Sequence, residues 1–234
     1  MGTVISNERL ADNVYHLRVS GDYGGETGQF YMLRAWGAYP VLSRPLSIHQ
    51  VEDDGIEFLY HVVGEGTELF SQLTPGDSIN LEGPFGSGFP AVTGRVALVG
   101  GGIGIAPLLY CAREIPGCDV YLGFSREPFR TEEFRPYAAK LTVDVGGLIL
   151  DNVDFAEYDH IFVCGPHPML KAAQLKGIAA ATSGSPVNVY LSLENRMACG
   201  IGACLVCSVS CKDGQRKACA DGPVFLAEEV VFHD

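Results

Sequence analysis

The chain has 234 residues, enough for one large domain or two to three small ones with a sizeable core. Its 16 basic residues face 28 acidic ones, and the formal net charge of -12 argues against nucleic acid and anionic membranes as partners. No run of 18 uncharged apolar residues occurs and the start lacks a basic-then-apolar leader, so neither a membrane span nor a signal peptide is expected; the expected compartment is the cytoplasm, where eight cysteines point to metal or redox chemistry rather than disulfides.

Residues 1–90 read as all-β. NVYHLRVS, GQFYMLRA, PLSIHQVE, GIEFLYHVV and DSINLEG are short runs rich in Val, Ile, Leu, Phe and Tyr, punctuated by EDDG and TPGD. Strands at this spacing suggest a small antiparallel barrel. RPLS (residues 44–47) falls where a barrel strand should end. Arg44 can fork onto a pyrophosphate, and Ser47, beyond Pro45 and Leu46, can offer a hydroxyl to a flavin ring nitrogen. Downstream, Gly64, Gly66 and Thr67 open a short helix whose first N–H groups favour phosphate.

Residues 91–190 change character. RVALVGG is an apolar strand, IAPLLYCAREI a helix, DVYLGFS and HIFVCGP further strands, and HPMLKAAQLKGIAA another helix. Such alternation implies a parallel sheet of the dinucleotide-binding type. Gly100, Gly102 and Gly104 permit a tight turn against a pyrophosphate, although Pro107 stands near the place of the last fingerprint glycine. Ser125 and Arg126 could hold a 2′-phosphate and Glu127 a ribose hydroxyl, which leaves NAD and NADP both open. Cys164, in CGPHPM, ends a strand at the edge where such sheets bind ligands; its plainer reading is a buried thiol.

Residues 191–234 hold five of the eight cysteines in a tail too short for a core of its own, which calls for a staple such as a metal. Cys199, Cys204 and Cys207 are spaced C-x4-C-x2-C, the plant-type [2Fe–2S] pattern. Gly200 and Gly202 give the loop the freedom to wrap a cluster. Zinc sites pair C-x2-C with a second C-x2-C or with histidines, and no histidine lies between Tyr190 and Phe232. The fourth ligand is Cys211 or Cys219. Cys219 is favoured, because CLVCSVSC alternates like a strand and a KDGQ turn carries RKACADGPVF back beside Cys207.

RPLS, GIGIAP and CGPHPM, in that order, resemble the hallmarks of the ferredoxin–NADP reductase superfamily. With ENRMACGIGACLVC and CADGPVF, the chain is similar to the electron-transfer subunits of two-subunit, NAD-linked dihydroorotate dehydrogenases. The resemblance implies a multidomain β plus α/β protein: an antiparallel FAD-binding barrel, a parallel-sheet nicotinamide domain and a small C-terminal [2Fe–2S] domain. It places FAD on Arg44, Pro45, Leu46, Ser47, Leu59, Tyr60, His61, Gly66 and Thr67, NAD(H) at the glycine turn, and the cluster on Cys199, Cys204, Cys207 and Cys219. Ser47 and Cys164 become the catalytic candidates. The implied partner is a flavin-containing catalytic subunit that oxidises dihydroorotate, in a heterotetramer of two of each, with electrons flowing to NAD⁺ and pyrimidine synthesis as the pathway. Met197, Ile201 and Leu205 are candidate partner contacts, with packing against the chain's own nicotinamide domain as the alternative. Rival readings are a reductase subunit serving another acceptor, such as a hydrogenase, ferredoxin or sulfide system, and a non-enzymatic redox-sensing iron–sulfur protein.

Overall fold

The computed structural model describes residues 1–233. Six strands, β1 (Gly2–Ala11), β2 (Val14–Ser20), β3 (Phe30–Arg34), β4 (Arg44–Glu52), β5 (Gly55–His61) and β6 (Ser78–Phe85), close into a barrel in the order β1-β2-β5-β4-β3-β6. Helix α1 (Glu65–Ser71) lies between β5 and β6 in the chain. Leu17, Val19, Leu33, Ile48, Phe58 and Phe70 fill the interior. The sequence reading finds five of these strands and misses β1, whose residues 5–11 are largely polar and only partly covered. Strand β5 is buried on both faces except at His61, because its outer residue Leu59 packs into the neighbouring unit with Val14 of β2.

The second unit supplies β7 (Val96–Gly101), helix α2 (Leu108–Glu114), β8 (Cys118–Phe124), β9 (Ala138–Val145), β10 (His160–Cys164), helix α3 (His167–Thr182) and β11 (Asn188–Ser192). The tail adds a hairpin, β12 (Ser208–Cys211) and β13 (Gly214–Lys217), and then β14 (Val224–Leu226). The large sheet runs β14-β11-β10-β7-β8-β9, parallel from β11 to β9, with β14 antiparallel on the edge. From β7 the chain winds one way through β8 and β9, then crosses back to β10 on the other side. The switch point therefore falls between β7 and β10, where open α/β sheets bind their ligands.

Two expectations change. The helix expected from Ile105 begins only at Leu108, because the glycine-rich stretch Gly102–Ile105 forms a 3-10 turn and Pro107 stands just before α2. The cysteine tail does not depend on a staple alone: Cys207, Val209, Phe225 and Val230 share one apolar core with Val163 and Leu191 of the sheet.

Candidate functional site

A cavity of about 770 Å³ opens between the barrel, the glycine turn and the tail, within the ~300–1,000 Å³ range of cofactor sites. Arg44, Pro45, Leu46 and Ser47 line it from the start of β4, and Leu59, Tyr60 and His61 from the end of β5; Phe30 stands opposite Ser47 in the β3–β4 register. Antiparallel pairing thus brings the two motifs to one barrel mouth. Arg44 packs on the Trp36 ring at 5.3 Å and lies so close over Gly66 that a Cβ there would stand 2.6 Å from Cζ. The Thr67 hydroxyl accepts from the Val63 and Gly64 amides at 2.9 and 3.2 Å and donates to the Gly64 carbonyl at 2.8 Å. Thr67 therefore shapes the loop before α1; its early N–H groups and the Arg44 guanidinium, which also donates to the Leu42 carbonyl, are the donors for an anion, with Glu65 and Glu68 in the same turn. A basic fork lying over Gly66 and an apolar barrel mouth together fit a flavin nucleotide.

A second cavity of about 610 Å³ lies at the switch point, lined by Gly101, Gly102, Gly104, Phe124, Phe129, Gly165 and Pro166, with Ser125, Arg126 and Glu127. Gly100 and Cys164 face each other in the β7–β10 register beneath it. Gly104 passes so near β10 that a Cβ would come within 2.6 Å of the Cys164 carbonyl carbon. Cys164 itself is 1 % exposed and lines neither cavity; burial pushes its thiol well above the ordinary range, the Glu194 charge adds to this, and a Ser192 hydrogen bond opposes it. Pro107 lines the first cavity rather than the second.

The two cavities share His61, Ile103 and Glu194. Desolvation raises the Glu194 carboxyl above the ordinary carboxylate range. Sequence reading misses Ile103, Glu194 and Arg196, because nothing local marks residues that matter only where two units meet. Arg196 and Arg126, one at each cavity, form no ion pair among the described residues. Both stand available to a ligand's negative charge.

The tail closes beside the first cavity, to which it contributes Met197 and Val206. The β12–β13 hairpin returns Cys219 to Cys207: the Cys219 amide lies 3.5 Å from Cys207 Sγ, and the Gly202 amide donates to Cys219 Sγ at 3.1 Å. Gly200 and Gly202 take φ values of +73° and +80°, which turns the loop's amides inward. Backbone amides of Ile201, Cys204 and Ala203, with the Cys204 thiol, pull the Cys199 thiol down to about 6. Amides aimed at the Cys199 and Cys219 sulfurs fit an iron–sulfur cluster, while burial and the neighbouring Cys207 push the Cys219 thiol up to about 12. Among the described residues no three His, Cys, Asp or Glu side chains gather around a single-ion site. Cys211 is 7 % exposed and packs in the apolar core. Of the candidate partner contacts, Met197 is buried in that core, whereas Ile201 and Leu205 are 66 % and 62 % exposed, beside Val206 at 54 %.

The model of the iron–sulfur cluster binding domain of dihydroorotate dehydrogenase B matches residues 194–231. The electron transfer subunit of dihydroorotate dehydrogenase B (NAD(+)) from Clostridium acetobutylicum is 42 % identical over 242 residues, covering 99 % of this chain and 96 % of that protein. Its counterpart from Caldanaerobacter subterraneus is 40 % identical, covering 98 % of this chain and 97 % of its own length. Among solved structures, a chain of the NADH-dependent reduced ferredoxin–NADP oxidoreductase superposes with a TM-score of 0.88 at 26 % identity, covering 99 % of this chain and 90 % of that one. With its barrel, switch-point sheet and cysteine hairpin, the chain belongs to the family of dihydroorotate dehydrogenase B (NAD(+)) electron transfer subunits.

Proposed function

We propose that the chain relays electrons between a dihydroorotate-oxidising, flavin-containing subunit and NAD⁺, in a heterotetramer of two of each. The observation that carries this reading is the meeting of the two cavities at His61, Ile103 and Glu194, with the cysteine loop adjoining the first through Met197 and Val206. FAD, when bound, exchanges a hydride with a nicotinamide and single electrons with a [2Fe–2S] cluster, so it belongs between them.

Within that reading, Arg44 and the amides before Thr67 hold the FAD pyrophosphate. Pro45, Leu46, Leu59, Tyr60 and His61 wall the flavin, with Gly66 keeping the Arg44 side free of a Cβ. Ser47 presents its hydroxyl to the ring. Gly102 and Gly104 seat the dinucleotide phosphates, and Gly100 keeps the strand end clear. Cys164 supports the turn from behind Gly104 and orients the nicotinamide end without touching it. Cys199, Cys204, Cys207 and Cys219 hold the cluster, with Cys211 as a packing residue. Residues 1–90, 91–190 and 191–234 serve as flavin, nicotinamide and cluster units. Exposed Ile201, Leu205 and Val206 face the catalytic subunit, since a one-electron relay works only at close approach. Eight cysteines, all free, support a cytoplasmic setting.

The test is reconstitution. The purified chain should carry one FAD and two irons, oxidise NADH with ferricyanide and leave dihydroorotate untouched. Adding the catalytic subunit should give a stable complex that reduces NAD⁺ with dihydroorotate. Dihydroorotate turnover by the chain alone would overturn the division of labour. Failure to associate would favour service to another acceptor, the reading to which the likeness to the NADH-dependent reduced ferredoxin–NADP oxidoreductase lends support.

A further inference from the structure

The outer face of the barrel carries polar side chains that a solvent-facing sheet would leave wet and that here are closed over. His16 (β2) is 4 % exposed, His49 (β4) 0 % and Glu57 (β5) 9 %. The nucleotide unit covers them at two places. His49 Nδ1 lies 2.7 Å from the Ala106 carbonyl, one residue before Pro107. Arg130, one residue after the cavity-lining Phe129, sits at a positive φ of 53° and reaches across with Nη1 3.0 Å from His16 Nδ1.

The donor and acceptor roles follow from chemistry. A guanidinium only donates, so His16 Nδ1 is an acceptor and the ring proton sits on Nε2. That proton is donated to Glu57 Oε2 at 2.9 Å. Glu57 Oε1 also has Arg18 Nε at 2.8 Å, as an ion pair without hydrogen-bond alignment. Arg130 Nη2 stands 3.9 Å from Glu57, and Glu133 holds the Nε side of the same guanidinium at 2.8 Å. The result is one directional chain from Arg130 through His16 to Glu57. Arg113 of α2 adds a second link, to Gln50 at 3.1 Å and Glu52 at 2.7 Å on β4. Tyr110 adds a third, from its hydroxyl to the Gly25 carbonyl at 3.0 Å.

Apolar contact alone lets two units slide, whereas directional hydrogen bonds are satisfied in one register only; His49 Nε2 alone of the histidine nitrogens here is left without a partner. The elements held are the two that matter: Ala106 lines the flavin cavity and Phe129 the nicotinamide cavity. We propose that Arg130, His16 and Glu57, with the His49–Ala106 bond, form a positioning clamp that fixes the nicotinamide cavity in one register against the flavin cavity. None of these four side chains lines either cavity, so the clamp acts through the backbone it holds. A shift of about 1 Å between reacting partners costs on the order of a hundredfold in rate, so a clamp of this kind sets rate rather than binding.

This inference rests on the flavin–nicotinamide reading of the two cavities, and the experiment separates the two. In the FAD-loaded chain, flavin reduction by NADH is followed by stopped-flow absorbance. Wild-type chain that binds no FAD, or whose flavin NADH does not reduce, refutes the underlying reading. Given that reduction, Arg130→Met and Glu57→Gln should each lower the limiting reduction rate about tenfold or more, with FAD dissociation constant and half-saturating NADH within twofold of wild type. The double variant should lose little beyond either single one, because both break the same chain. Arg130→Lys, which keeps the charge but not the two-sided fork, should recover only part of the rate. If Glu57→Gln does not fold, Arg130→Met alone decides. A folded, FAD-loaded Arg130→Met chain with a wild-type limiting rate overturns the clamp, as does a variant whose only change is a lower melting temperature.

Discussion

Gly104→Ala tests the switch-point geometry most directly. An added Cβ would stand 2.6 Å from both the Cys164 carbonyl carbon and the Gly165 nitrogen, where ordinary contact begins near 3.4 Å. Both are backbone atoms at the β10 end, and the Cys164 carbonyl oxygen is nearer still, so no side chain can swing aside and the turn and the strand end must part by about 1 Å. Overpacking of this order costs about 1–3 kcal/mol. If the displacement reaches the bound nicotinamide, the same shift of about 1 Å predicts a loss in kcat/KM of between about tenfold and a hundredfold. That equals about 1.4–2.7 kcal/mol of transition-state stabilisation. The assay is NADH oxidation with ferricyanide by the FAD-loaded chain, with flavin content measured alongside. FAD content should hold, because Gly104 lines only the second cavity. Gly101→Ala is the control: its Cβ would meet chiefly the Met169 sulfur at 2.6 Å, on a side chain free to move, and its loss should be smaller. Wild-type NADH kinetics in folded Gly104→Ala would show that the dinucleotide does not lie in the crevice between β7 and β10.

Cys219→Ser should abolish the iron and sulfide content of the purified chain while Cys211→Ser retains it; iron lost only from the Cys211 variant would reassign the fourth ligand. Arg44→Ala should weaken FAD retention at least tenfold in ultrafiltration, whereas NADH-independent folding, followed by circular dichroism, should persist. Burial lowers the pKa of His49 from the ordinary 6.5 to about 3, so the native state binds fewer protons than the unfolded chain in between. Stability from this group is present above pH 6.5 and is lost as pH falls toward 3, at about 1.4 kcal/mol per unit. Urea midpoints should therefore drop more steeply over that window in wild type than in His49→Gln, and parallel slopes would show that the ring is solvated.

What the sequence disclosed and what it hid divide by range. RPLS, the glycine turn and the cysteine loop each carry their chemistry within a dozen residues, and the structure gathers them at the barrel mouth, the switch point and one hairpin. The hairpin was legible because Lys212–Gln215 offers a turn and CLVCSVSC an alternating partner. Strands β1, β9, β11 and β14 were not, since β1 carries Asn, Glu and Arg, β9 leaves Val143 and Val145 exposed, and β11 and β14 are runs of only five and three residues. Glu57 and His16 read locally as the polar face of a wet strand. Their closure depends on Arg130, 114 positions from His16, and no local pattern spans that distance.

The pairing of β14 with β11 has a consequence for the edge of the sheet. The three residues Val224–Leu226 lie beyond the last candidate cluster cysteine and cover the free edge of β11 at Tyr190, Leu191 and Ser192. An uncovered strand edge of this apolar kind is a template for joining other chains. The sheet edge is therefore completed by the same stretch of chain that carries the cysteine loop. Loosening that stretch would uncover the β11 edge together with the apolar core that Cys207 and Phe225 share with Val163 and Leu191.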